Sequence, residues 1–357
     1  MTKSFSILIP TYNEHDNIIP LLERITTAIQ GKDYEVVFID DDSRDGTPEL
    51  VNTLSSKYPV RVVVRKDKKG LASAVVDGFG LVSTDIVVVM DADLQHPPEI
   101  IPALIKAIRD GSDIAVASRY VTGGGTEGWS KTRKLISRGA IGLAHLLLPH
   151  SRRVKDPMSG FFAFKKNVIS GVILKPIGYK ILLEILVVGK GDKVAEVPFK
   201  FQLREKGESK LNVGQQVEYL RHLFSLMRRS GELVRFGKFL LVGLSGIVVN
   251  DGILWLLHGH SGWNIGPALS VAIEVSIITN FILNNTFTFA DRHKPGVRHF
   301  VGNFLRFNFF SAPGGILNWI TTVVLTDKSH YLIFNLIGIA IAMLWNYFAN
   351  NWWTWKR

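Results

Sequence analysis

Two regimes of apolar and polar patterning follow one another along this chain. In the first, short apolar runs alternate with amphipathic stretches. Ser4–Pro10 reads as a strand, Thr11–Glu14 as a loop, and Ile18, Leu21, Leu22, Ile25 and Ile29 share one helical face. Tyr34–Ile39 predicts a second strand, followed by a helix through Leu54, a strand at Val60–Val64 and a helix from Gly70 to Val82. Ile86–Met90, five apolar residues that are mostly β-branched, predicts a strand buried on both faces, and Ile114–Ala117 predicts another. Such alternation implies a mostly parallel, Rossmann-like α/β sheet whose ligands gather at the C-terminal ends of the strands.

Two further helices carry basic residues beside apolar ones. In 131–148, Lys131, Arg133, Lys134 and Arg138 precede Leu143, Leu146, Leu147 and Leu148. In 213–229, Leu220, Leu223, Phe224 and Met227 accompany Arg221, Arg228 and Arg229. Both are read as interfacial membrane helices, an ordinary surface helix packed on the sheet being the plainer alternative.

The second regime begins near Gly231. Four spans are expected at about 236–257, 264–289, 300–325 and 331–353, each offering roughly 20 apolar-rich residues, enough to cross a bilayer. The division into domains is thus 1–230 and 231–357, with the tail forming two hairpins. Arg228, Arg229, Arg235 and Lys238 precede the first span, Arg292, Lys294 and Arg298 separate the second from the third, and Lys356 and Arg357 follow the fourth. That asymmetry puts both termini and the soluble domain on the cytoplasmic side, with Trp352, Trp353 and Trp355 as an aromatic belt there. Asp251 and Glu274 fall inside spans, as functional groups or as hydrogen-bonded packing between hairpins.

Composition agrees with this division. Most of the 42 lysines and arginines and of the 31 acids lie before Gly231, whereas most of the tryptophan lies after it. A net charge of +11 suits anionic partners, and the apolar tail favours lipid over nucleic acid, for which no aromatic–basic interleaving is seen. With no cysteine, disulfides and thiolate metal sites are excluded. The first apolar run, Phe5–Pro10, is too short for a signal peptide and leads straight into a turn.

The candidate chemistry sits where strands are expected to end. Asp91, Asp93 and Gln95 follow the apolar run at 86–90 and would project to one side if the extended geometry continued. Oxygen ligands there suit a hard divalent cation, with a helix-capping turn as the alternative. In the run Asp40–Asp45, Asp41 is the candidate to accept hydrogen bonds from a ribose or a base, again against a solvated capping turn. Gly78-Phe79-Gly80 lies at the end of a helix and is rejected as a dinucleotide fingerprint. Gly123–Gly125 suits a mobile acceptor loop, Asp156 either shapes a turn before Pro157 or helps to form the acceptor site, and Glu184 is read as structural, a partner for Lys180.

Taken together, these segments resemble glycosyltransferase family 2, which carries Pro10, Tyr12, Asn13 and Glu14 after a first strand and Asp40, Asp41, Ser43, Asp45, Gly46 and Thr47 after a second. Asp91-Ala92-Asp93-Leu94-Gln95-His96-Pro97-Pro98, Ser118-Arg119-Tyr120, Gly128-Trp129-Ser130 with Arg133, Asp156–Phe161, Gly178–Glu184 and Arg204–Lys210 resemble the polyprenyl-phosphate mannose synthases within it. The tail resembles the GtrA-like four-span domain. The resemblance implies a GT-A fold and transfer of mannose, with inversion, from GDP-mannose to a polyprenyl (dolichyl) phosphate, supplying lipid-linked mannose for glycosylation. It implies that Pro10, Tyr12, Glu14, Ile39 and Asp41 line a guanosine pocket. Asp91, Ala92 and Asp93 would approach the diphosphate and mannose, and Asp91, Asp93 and Gln95 would hold Mg²⁺ or Mn²⁺. Arg119, Arg204 and Lys210 would contact phosphate, Arg133 and Ser137 would receive the lipid phosphate together with Arg119, and Asp93 and Arg119 would be catalytic. The rival readings are a glucosyltransferase using UDP-glucose and a lipid-linked sugar flippase partner. A phosphate oxygen, already ionised at neutral pH, attacks without a general base.

Overall fold

The computed structural model describes residues 4–29, 33–66, 70–175, 177–202, 213–292, 295–324 and 343–355. The chain divides into two compact units, Met1–Ser230 and Gly231–Arg357. In the first, the elements run β1 (Phe5–Thr11), α1 (His15–Ala28), β2 (Tyr34–Asp40), α2 (Thr47–Leu54), β3 (Val60–Val64), α3 (Leu71–Leu81), β4 (Ile86–Val89), α4 (Ile101–Arg109), β5 (Ile114–Ser118) and β6 (Gly125–Thr126). Next come α5 (Lys131–Leu147), β7 (Phe162–Lys165), α6 (Ile181–Val188), β8 (Val194–Pro198), β9 (Lys200–Phe201) and α7 (Val213–Arg229).

Seven strands form one sheet in the order β3-β2-β1-β4-β7-β5-β8, and β6 pairs with β9 beside it. Leu8 on β1 aligns with Val37 of β2 and Val89 of β4, both parallel. Alternation along β1 sends Phe5, Ile7 and Ile9 into a core with Ile18, Leu21 and Leu22 of α1 and Leu104 of α4. Leu8 enters the opposite core with Val75 of α3 and Leu182 of α6. The sheet is therefore covered on both faces, which is why its strands read as continuous apolar runs. Gly78 is a packing glycine: a Cβ there would lie 2.4 Å from the Leu8 side chain.

One strand runs against the others. β7 is antiparallel to both β4 and β5, with Val89 and Val116 each opposite Phe162. Its leading end therefore lies beside the trailing ends of β4 and β5, bringing the loop 156–161 to the same edge.

α5 and α7 enclose a third core that includes Ile141, Ala144, Tyr219, Leu223 and Leu226. Leu135 on α5 and Leu220 and Phe224 on α7 lie open instead. Glu184, fully buried on α6, does not pair with Lys180 as expected. It accepts hydrogen bonds from the Arg229 guanidinium of α7 and from the Lys175 amide at 2.6 Å, and lies 3.5 Å from His222. Spacing decides this: the helix carries Glu184 into the packed face against α7, whereas Lys180 precedes the helix.

The second unit holds α8 (Glu232–Leu254), α9 (Ile265–Leu283), α10 (Val297–Val324) and a helix over 343–349. Glu232–His260 and Gly266–Thr288 are long and apolar enough to cross a membrane. The third expected span coincides with α10, and most of the fourth, 331–353, lies outside the described residues. Fully buried Glu232 accepts from Arg235 and from Arg292 at 2.8 Å. Trp355 is not part of an exposed belt: its ring stacks on Phe289 at 4.4 Å and donates to Asn285 at 3.1 Å. Asp251 and Glu274 both lie on exposed helix faces.

Candidate active site

The first two loops at the sheet edge are tied to each other by the residues that made them recognisable. Asp40, fully buried, accepts from Thr11 Oγ1 at 2.9 Å and from the Ser43 amide and hydroxyl, both at 2.7 Å. The Asn13 amide donates to Ser43 Oγ at 2.8 Å, the Glu14 amide to Thr47 Oγ1 at 3.1 Å, and the His15 amide to Asp45 at 3.0 Å. Asn13 and Asp42 take left-handed backbone (φ 57° and 59°), which short polar side chains tolerate. Asp41 is held by the Arg65 guanidinium and by the Gly70 amide at 2.7 Å. Arg65 is anchored in turn to Asp77 at 3.0 Å. Pro10 and Ile39 are buried strand residues, Tyr12 is exposed, and Glu14 accepts from Asn17 at 2.6 Å.

At the end of β4 the extended geometry stops at Val89, and Leu94 is left-handed (φ 62°). The strict alternation expected for Asp91, Asp93 and Gln95 is thus replaced by a turn. In it the Gln95 amide donates to Asp93 Oδ1 at 3.2 Å, and Gln95 Nε2 donates to the Gln202 carbonyl at 3.1 Å. That bond orients the Gln95 side chain through its amino group and leaves its oxygen for a ligand. Ala92 is buried in the core. His96 supports the turn from beneath: its Nδ1 accepts from the Asp91 amide at 3.0 Å, so that nitrogen carries no proton. The ring is packed by Phe161, Phe199 and Phe201. Burial pushes its pKa down to about 4, with nearby Asp93 opposing the shift.

Arg119, just past β5, is fixed by Asp156 from the loop before β7. Nε and Nη2 donate to the two carboxylate oxygens, both at 2.7 Å, and the Arg119 amide adds a third bond at 3.0 Å. Burial works against the guanidinium, but Asp156 outweighs it and holds its pKa above the usual value. The guanidinium carbon lies 5.3 Å from the Trp129 ring, against which Arg133 stacks at 4.1 Å. Ser130 caps α5 by accepting from the Arg133 amide, and Tyr120 donates to Ser137 at 2.9 Å.

A cavity of about 610 Å³ joins these groups. Asp91, Gln95, Arg119, Arg133 and Ser137, drawn from three separate segments, all line it. Lys180, Trp129, Tyr179 and Tyr219 line it too, without having been assigned a role there. For Trp129, Tyr179 and Lys180 the available signal was their place in the Gly128-Trp129-Ser130 and Gly178–Glu184 segments. The cavity's other lining residues include Ile136, Ala140 and Met158. Pro10, Tyr12, Glu14, Ile39, Asp41, Ala92 and Asp93 lie outside its lining. Arg204 and Lys210 fall outside the described residues.

The donor set of Asp91, Asp93 and Gln95 is all oxygen and fits a hard divalent cation. Among the described residues no group of three or more histidines and carboxylates forms a complete metal cage. Further ligands would therefore come from substrate phosphate or water.

Residues 6–171 match Glycosyl transferase family 2, and residues 238–355 match the GtrA/DPMS transmembrane domain, making this a membrane protein. A dolichol-phosphate mannosyltransferase of Pyrococcus furiosus is 50% identical over 98% of this chain and 99% of its own. That of Mycosarcoma maydis is 38% identical over 64% of this chain and 80% of its own. A solved glucosyl-3-phosphoglycerate synthase from Mycobacterium tuberculosis covers 64% of this chain and 79% of its own, with a TM-score of 0.49 at 19% identity. Identity at half of all positions along essentially the entire length places this chain in the dolichol-phosphate mannosyltransferase family of glycosyltransferases.

Proposed function

We propose that the protein transfers mannose from GDP-mannose to a membrane polyprenyl phosphate, inverting the anomeric carbon. The observation that carries this reading is the composition of one cavity. Oxygen donors (Asp91, Gln95), cations (Arg119, Arg133) and an apolar group (Ile136, Ala140, Met158) line the same space. An anionic headgroup on a lipid chain has that combination of chemistries.

In this reading Arg119 and Arg133 hold the acceptor phosphate against the charge of the donor. Arginine is suited to this through its planar fork, and the Asp156 pair fixes the orientation of Arg119 in advance. Ser137 adds a hydroxyl beside Arg133. Asp91, Asp93 and Gln95 would hold Mg²⁺ or Mn²⁺, which when bound supplies positive charge to the departing diphosphate. Pro10, Tyr12, Glu14, Ile39 and Asp41 would receive the guanosine, with Arg204 and Lys210 on its phosphates.

The catalytic unit is assigned to the cytoplasmic face of a multi-pass protein, from the basic residues before and at the start of α8 and those following α9. The open Leu135, Leu220 and Phe224 support interfacial seating of α5 and α7.

The test is a donor panel with a polyprenyl phosphate and the full chain. Mannosyl lipid should form from GDP-mannose with Mg²⁺ or Mn²⁺, stop on chelation, and be absent in Asp91→Ala and Asp93→Ala. Turnover of UDP-glucose with GDP-mannose inert would overturn the donor assignment.

A further inference from the structure

Building on the acceptor reading above, we propose that Lys180 is a third ligand of the acceptor phosphate, binding it through its ammonium group. Gly178, left-handed at φ 68°, turns the chain so that Tyr179 and Lys180 reach the cavity just before α6 begins. Lys180 Nζ donates to the Met158 carbonyl at 3.0 Å, in the same loop that supplies Asp156. It stands over its neighbour's ring, Tyr179, at 4.3 Å, and forms no ion pair among the described residues.

A comparison of unspent donors distinguishes the cations. Arg119 commits Nε and Nη2 to Asp156. Lys180 commits one of its three protons, to a neutral carbonyl, and so keeps two for a ligand. An enclosed ammonium without a carboxylate partner is costly, and an arriving phosphate removes that cost. Lys180 is thus the group in the cavity whose charge is least compensated before the acceptor binds.

Electrostatics adds a readout. Burial, aided by Arg119 and Arg133 and opposed by Asp156 and Asp91, brings the Lys180 pKa down to about 8. Among the other groups at the cavity, His96 is held neutral by a pKa near 4, and burial raises both tyrosines, Tyr179 and Tyr219, above their usual range. Both arginines stay charged, and a phosphate monoester has its second pKa near 6. Between pH 7 and 9, then, Lys180 is the side chain whose charge changes. Contact with an anion favours its protonated form, so binding takes up a proton, and affinity falls as pH rises through about 8.

Calorimetric titration of the full chain in detergent with farnesyl phosphate and with farnesol, at pH 8 in two buffers of different ionisation enthalpy, tests this without turnover. Wild type should prefer the phosphate and take up a fraction of a proton. Lys180→Gln should bind the phosphate roughly tenfold or more weakly, with no proton uptake. Lys180→Arg should retain most of the affinity and also lose the uptake, which a purely structural tether to Met158 would not explain. Equal binding by Lys180→Gln, or uptake persisting in Lys180→Arg, overturns the proposal while leaving the acceptor reading in place. Wild type failing to prefer phosphate over alcohol overturns both. Failure of mannosyl transfer from GDP-mannose bears on the donor alone and leaves this binding result standing.

Discussion

Arg119 and Asp156 form a buried two-point ion pair, Nε to Oδ2 and Nη2 to Oδ1, both at 2.7 Å, with the carboxylate fully excluded from solvent. The same carboxylate also receives the Arg119 backbone amide, so it sets the position of the chain as well as that of the side chain. Asp156→Ala therefore strands a guanidinium in a closed site. A loss of about 3–5 kcal/mol of unfolding free energy is expected, together with loss of transfer. Thermal unfolding and activity should decline together. A variant as stable and active as wild type would show that the pair is incidental.

Arg133 is anchored differently, by stacking on Trp129 at 4.1 Å and by its place in the first turn of α5. Arg133→Lys keeps the charge but loses the planar stack and fork, so the acceptor KM should rise about tenfold. The donor KM should stay within about a factor of two, the usual spread for residues outside a contact. Equal increases in both would place Arg133 on the donor side.

Gly160 faces the turn that carries Asp91. A Cβ there would come within 3.1 Å of His96 Cε1 and 3.3 Å of Asp91 Oδ2. Gly160→Ala should displace the carboxylate and raise the metal concentration needed for half-maximal transfer, with modest loss of stability. A metal titration curve superimposable on wild type would refute the crowding.

His96 provides a pH dependence of stability in the metal-free protein. Its folded pKa, about 4, lies below the free value near 6.5, so the folded state holds fewer protons across that window. Its contribution is complete above about pH 6.5 and is lost as pH falls toward 4, by of order 3 kcal/mol for this one group. Against His96→Gln, which does not titrate, the stability advantage of wild type should shrink between pH 7 and 4.5. A constant difference measured by chemical denaturation would contradict the buried neutral ring.

The sheet and most of its helices could be read from periodicity, because β1, β2 and β4 are buried on both faces and announce themselves as apolar runs. The reversal of β7 could not: Phe162–Lys165 has the same local character whichever way it runs, and only its neighbours decide. Asp91, Gln95, Arg119, Arg133 and Ser137 were legible as a group through their motifs. The left-handed Leu94 between Asp91 and Gln95 was not, since an aliphatic residue seldom adopts that backbone. The partners of Asp156 and Glu184 lie 37 and 45 residues away, respectively, in sequence, and tertiary packing alone brings them together.

The reversed strand also bears on how such a site can diversify. In an all-parallel sheet each loop at the ligand edge is followed by a crossover helix, so a change in the loop disturbs the docking of that helix. β7 delivers the 156–161 loop to the edge from the opposite direction and continues straight into the sheet. Substitutions there can reshape what meets Arg119 and Lys180 while the β1 and β2 loops, knit to each other through Asn13, Ser43 and Thr47, keep their geometry. Under the proposed assignment the nucleotide and the acceptor would be held by different loops of one edge, meeting at the β4 turn where Gly160 packs against Asp91.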